Sequence, residues 1–225
     1  TGQVRDRGQV RESAPPVSTT VSLPAQTAPN CPCQGGTKYA TPHSPVLNAE
    51  AGAVASSPNG LYLAVASKLQ VLLFKRDNAG DLYNNAAQTV TLPQSVGQLV
   101  FSPDSTKLLV ILDQQVQLWD VQKVLADPAT KAMFTTDSPD AETFAADGVF
   151  LSETMIAVGF YGKKENDPVQ VWSVGATQAD AKKLATLEAP AVQSLASSGQ
   201  FLVVGGRTVT ADAEDSVAVF TVFEW

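Results

Sequence analysis

The chain has 225 residues, 44% of them hydrophobic, enough to bury an ordinary core within one principal domain. Its formal net charge of −7 excludes a generic electrostatic affinity for nucleic-acid phosphates or anionic lipid. No apolar run approaches the roughly 18 residues that a membrane-spanning helix needs, so no such span is expected.

Residues 1–44 read as an extended arm. They open TGQVRDRGQVRES, with Arg5, Arg7 and Arg11, then become rich in Pro, Thr, Ser, Ala and Gln, with too few aliphatic residues to form a core. Cys31-Pro32-Cys33 and His43 offer three metal-ligating side chains, but structural zinc calls for four at spacings such as C-x₂₋₄-C. Two thiols in a turn, or one tight disulfide if the arm is exported, is the plainer reading, and no metal or cofactor is expected. Thr20-Val21-Ser22-Leu23-Pro24 matches Thr89-Val90-Thr91-Leu92-Pro93 further on, which marks a strand at 19–23.

From 45 to 225 the chain repeats. Residues 96–121 (VGQLVFSPDSTKLLVILDQQVQLWDV) and 53–76 (AVASSPNGLYLAVASKLQVLLFKR) share a Ser-Pro-Asp/Asn turn followed by an apolar strand. Degenerate copies occupy 149–174 and 195–222. Pro58 and Pro103 lie 45 apart, and the closing aromatics are read as Phe74, Trp119, Trp172 and Phe220, at separations of 45, 53 and 48. A period in the forties with several short strands per unit predicts all-β propeller blades, four of them.

Within each unit, Ser57-Pro58-Asn59-Gly60 or Ser102-Pro103-Asp104-Ser105 predicts a type I turn, since proline presets φ at its second position. The second strands (61–66, 107–112, 155–160 and 200–205) are near-continuous apolar runs, as strands buried on both faces require. Residues 121–133 have brief helical spacing, but Pro128 limits a helix there to one turn. Residues 176–187 read as loop leading into strand. The last copy lacks an outer strand, and the strand at 19–23 is the expected donor that closes that blade.

Val100-Phe101-Ser102-Pro103-Asp104, with Val116-Gln117-Leu118-Trp119-Asp120-Val121, resembles a WD40 repeat, including the Trp-Asp dipeptide. The resemblance covers roughly 45–225 and implies a WD40-like β-propeller. The Gly-His dipeptide of that family is absent, since the single histidine is His43, so its Asp-His-Ser/Thr-Trp network is not expected. WD40-type rings usually close with seven blades, whereas four are visible here. Three explanations stay open: part of a longer polypeptide, which the non-Met start at Thr1 fits; a four-bladed ring closed by its arm; or an open propeller completed by another chain.

The inventory for chemistry is thin. With one histidine in a Pro-rich arm, a nucleophile–base pair is not expected. No phosphate-binding glycine loop occurs, and the acidic stretch 137–147 lacks the alternating ligand spacing of a calcium loop. Two links between second and third strands are long, 161–167 and 207–215, where the first two copies have only two or three residues. In a propeller these links share one face beside the central channel, where loops bind. Tyr161 is the candidate aromatic anchor, with Lys163, Lys164 and Arg207 as charged contacts. The expected function is a non-catalytic scaffold, a subunit of a larger assembly with other protein subunits as partners and the arm ordering against a neighbour. The alternative is an exported or periplasmic propeller that binds a small ligand or glycan. The compartment stays open between cytoplasm and export.

Overall fold

The structure, a computed structural model, describes residues 51–76, 86–162, 167–189, 192–209 and 216–224. All of them fall in the second of the two units into which the chain divides, Thr1–Pro42 and His43–Trp225. The readings placed on Arg5, Arg7, Arg11, Cys31, Cys33, His43 and the strand at 19–23, and those on Lys163 and Lys164, lie outside the described residues.

Four antiparallel meanders follow one another along the chain. The first sheet holds β1 (Ala53–Ser56), β2 (Tyr62–Ser67), β3 (Gln70–Lys75) and β4 (Ala86–Thr91) in that order. The second holds β5 (Val96–Phe101), β6 (Lys107–Leu112), β7 (Gln115–Asp120) and β8 (Phe134–Asp137). The third holds β9 (Phe144–Ser152), β10 (Met155–Tyr161), β11 (Asp167–Ser173) and β12 (Lys182–Ala189). The fourth has three strands among the described residues, β13 (Val192–Ser197), β14 (Phe201–Val209) and β15 (Ser216–Glu224).

The turns form as their residues dictate. Ser57 Oγ and Ser102 Oγ accept the backbone N–H of Tyr62 and Lys107, while Asn59 and Asp104 accept those of Leu61 and Thr106. Gly60 and Ser105 take the left-handed conformation at equivalent places, φ 68° and 63°. Glycine adopts it without strain, and Ser105 is held there while its hydroxyl accepts the Asn59 N–H from the neighbouring turn.

Each sheet stacks on the one before it through its first strand, and three clusters fill the three junctions. Tyr62, Leu73 and Val90 meet Leu99, Leu108 and Trp119; Leu109, Ile111 and Leu118 meet Phe150, Ile156 and Phe160; Val169 and Val171 meet Val192, Leu202 and Val204. Sheets stacked in chain order through their innermost strands are the blades of a β-propeller. Among the described residues, no such cluster joins the fourth sheet to the first.

Two readings are corrected. The helix after β7, α1 (Val121–Ala126), has six residues rather than a single turn. Asp120, the acidic half of the Trp-Asp dipeptide, caps it by accepting the Lys123 N–H at 3.0 Å, and the chain leaves the helix at Asp127, just before Pro128. The closing aromatic of the fourth sheet is Phe223, not Phe220. Phe223 pairs with Leu202 as Trp119 pairs with Leu108 and Trp172 with Ile156, and it packs into the junction with the third sheet. Phe220 pairs with Gly205 on the opposite face, because β14 and β15 are longer than their counterparts and carry the aromatic three residues further.

Candidate functional site

The first strand of each sheet lies at its edge, so N–H groups on its outer side need acceptors from beyond the sheet. Side chains of the preceding blade supply three of them, two from its own first strand. Gln98 on β5 accepts the Gly148 N–H of β9 at 3.0 Å, and Asp147 on β9 accepts the Leu195 N–H of β13 at 2.6 Å. Gln98 and Asp147 hold the same place in their blades, opposite Ile111 and Gly159. Gly148 has no room for a side chain: a Cβ there would lie 2.7 Å from Ile111 Cδ1. Asp147 also accepts its neighbour's N–H, from Gly148 at 2.7 Å. Burial pushes its carboxyl up, against the bonds from Leu195, Gly148 and Gln98 that pull it down.

A second buried carboxylate, Asp167, begins β11. It accepts the Gly162 N–H at 3.0 Å and the Val192 N–H at 3.2 Å, tying the link after β10 to the first residue of the fourth blade. Above it opens a cavity of about 260 Å³ lined by Ala146, Tyr161, Gly162, Asp167, Val192 and Gln193. Tyr161 is 47% exposed and rests on Phe144, with ring centroids 5.6 Å apart. The site therefore pairs an exposed aromatic platform with backbone-locked carboxylates.

Tyr161 and Arg207 occupy equivalent positions one blade apart, each two residues beyond the glycine, Gly159 or Gly205, that pairs with Val169 or Phe220. They do not share a surface. Tyr161 stands on the face of β10 turned toward the fourth blade, whereas Arg207 stands on the face of β14 turned away from the third, and it is not among the residues lining the cavity. Phe144, Asp167 and Gln193 are the residues that sequence reasoning did not single out. Only the pairing of β9 with β10 puts Phe144 opposite Tyr161.

Two glutamines were missed as well. Trp119 donates its indole N–H to Gln117 Oε1 and Trp172 donates to Gln170 Oε1, both at 3.1 Å. Glutamine two residues before the tryptophan is a visible signal, repeated in VQLWD and VQVWS. It satisfies the indole in the absence of a histidine network. Among the described residues no group of three His, Cys, Asp or Glu could hold a metal ion, and no helix is long and apolar enough to cross a membrane.

No family model matches the chain, and no curated protein matches it in sequence. Solved structures do resemble it. It is similar to the RRP9 WD40 repeats at 17% identity and a TM-score of 0.53, over 71% of this chain and 46% of that one. It is similar to a chain of the mitotic checkpoint complex at 17% identity and 0.55, over 70% and 46%. Kuenenia stuttgartiensis hydrazine synthase matches at 11% identity and 0.56, over 78% and 51%. The chain spans about half the length of these solved chains. At such identities the likeness speaks for fold alone, and these neighbours include both an enzyme and WD40 repeats. By its repeat, its blade packing and these likenesses, the chain has the fold of a divergent WD40-like β-propeller.

Proposed function

We propose that this propeller is a non-catalytic scaffold that binds other protein subunits within an assembly. One observation carries the reading: the exposed Tyr161–Phe144 pair sits beside the Asp167 carboxylate, which already accepts the Gly162 and Val192 N–H groups. Exposed aromatics over a rigid rim suit a protein contact, and carboxylates engaged in this way are poorly placed for acid–base work. Tyr161 is the proposed anchor; Lys163, Lys164 and Arg207, and separately Arg5, Arg7 and Arg11 of the arm, are the proposed charged contacts with partners. The solved structures that resemble the chain include a chain of the mitotic checkpoint complex and hydrazine synthase, so the fold is compatible with a place in a complex and does not by itself choose between scaffold and enzyme.

A second reading, a small polar ligand such as a glycan, draws on the cavity beside Tyr161, where Asp167 and Gln193 stand near an aromatic face. At about 260 Å³ the cavity is at the small end for a ligand pocket, and its lining offers a single charged side chain, Asp167, already engaged by backbone N–H groups, so the protein contact is preferred.

The test is tagged purification from the native source, wild type beside Tyr161→Ala. Stoichiometric co-purifying subunits with wild type, and their loss with the variant, are the expected result. A wild-type chain that purifies without any other protein overturns the scaffold reading, and a glycan retained only by wild type promotes the second.

A further inference from the structure

The second and third blades each hold the following one through the same position on their first strand, but with different chemistry. At the earlier junction the holder is a neutral amide, Gln98, which accepts the Gly148 N–H of β9. At the later junction it is an acid, Asp147, which accepts the Leu195 N–H of β13 at 2.6 Å and is only 8% exposed. A second acid, Asp167, accepts the Val192 N–H on the same strand. Ser197 adds one neutral bond, its hydroxyl donating to the Phe150 carbonyl at 2.7 Å. The fourth blade is thus fastened to the third largely by carboxyl groups.

No cation answers the Asp147 charge. Its partners are the Gly148 and Leu195 N–H groups and the Gln98 side chain. Of the strands packed around it, β5 and β13 carry no charged residue, and β10 carries only Tyr161 as a titratable one. Lys107 of β6 and Asp120 of β7 stand opposite one another at the far end of their blade, beside Glu153. Arg207 of β14 faces away from the third blade. The remaining neighbours are carboxyls like itself: Asp167 of β11, Glu142 before β9, and Asp113, whose backbone carbonyl accepts the Ala145 N–H. Burial without a counter-charge opposes ionisation, and the Asp147 carboxyl is raised from its ordinary 3.8 despite the bonds that favour its charged form.

We propose that Asp147 is a pH-sensitive latch, seating the fourth blade on the third most firmly in its protonated form and loosening that junction when it ionises. The neutral acid keeps one oxygen for the Leu195 N–H and offers its proton to the Gln98 carbonyl. Opening the junction wets the carboxyl and returns it toward 3.8, so opening releases a proton at any pH between the two values. Seating is therefore firmest below that ordinary value and weakens until the pH passes the seated group's higher one. Gln98 has no proton to lose in this range, so the preceding junction gains no such response from its own holder. The latch goes beyond the scaffold role and does not depend on it.

Native-state hydrogen exchange of the full chain, read at single amides between about pH 3.5 and about pH 8 and corrected for intrinsic rates, tests it. Protection of Leu195 and of Val204, its partner on β14, should fall as pH rises, by about ten-fold for each unit by which the carboxyl is raised. Asp147→Asn keeps an oxygen for the Leu195 N–H but cannot ionise. It should lack this fall, and so be better protected than wild type at neutral pH and close to it in acid. Amides of β6 should show no such difference between the two proteins. Carbon-13 titration of the wild-type carboxyl, which needs no variant, should give a midpoint above 3.8. Parallel pH profiles for the two proteins overturn the proposal, as does a midpoint at or below the ordinary value. An equal difference at β6 would spread the effect over the whole domain and overturn it too.

Discussion

Trp119 and Trp172 each lie along a strand whose glutamine, two residues earlier, takes their indole proton. Replacing Gln117 by leucine keeps the bulk but leaves the buried N–H without an acceptor, so urea denaturation should show a loss of about 1–3 kcal/mol. Gln170→Leu should cost less, since the Trp172 indole is only partly buried and water can replace the lost acceptor. In the β5–β6 turn, burial alone would raise the Asp104 carboxyl, but bonds from the Ser102 hydroxyl and from the Thr106 backbone and hydroxyl, together with the Lys107 ammonium, hold it at about 2. A carboxyl held below its ordinary 3.8 adds stability that is complete above that value and is lost as pH falls toward 2. Asp104→Asn should fit, since Asn59 already plays the part in the first blade. The variant should be less stable than wild type at neutral pH, and the difference should vanish between about pH 4 and about pH 2 in urea melts across that range. Asp147, raised by burial, titrates with the opposite sign, but it is common to both proteins and drops out of the comparison.

At the scale of strands and turns, what was legible was what local chemistry decides. The Ser-Pro turns, the apolar second strands and the alternating third strands are written in consecutive residues, and β6 falls on the expected 107–112. The closing aromatic of the fourth blade was misplaced because two phenylalanines compete three residues apart. Only pairing across a long link, with Leu202 opposite Phe223, decides between them. The helix runs longer than Pro128 alone suggests because Asp120 caps its start, so all six residues fit before the chain leaves it at Asp127. The bonds between blades were invisible for a different reason. Gln98 and Gly148 are 50 residues apart and Asp147 and Leu195 are 48 apart, and nothing near either donor announces its acceptor. Asp147→Ala should therefore cost about 1–3 kcal/mol through the stranded Leu195 N–H, with faster hydrogen exchange at that amide as the specific signature. Gly148→Ala should cost about 1–3 kcal/mol by overpacking against Ile111 and Leu109.

Across the whole molecule, protection should follow the number of covered faces. The second and third blades are covered on both sides, so β6, β7, β10 and β11 should exchange most slowly, while β15, whose outer edge has no partner among the described residues, should exchange fastest among the strands of its sheet. Exchange mapped by mass spectrometry checks the gradient, and a uniform profile would contradict it. The acceptors on the innermost strands also give the stack a direction, since each reaches forward to the following blade. At the aligned position the four units carry Ala53, Gln98, Asp147 and Ser194. The blades are consequently not interchangeable parts. A duplicate of 144–189 spliced in after Ala189 would bring its own Asp147 and Gly148 and could seat itself on the original, while a duplicate of the first unit in that place would present an alanine and leave the next strand's amide bare. If this propeller has ever grown by duplication, its third unit is the one whose copying the architecture would have forgiven.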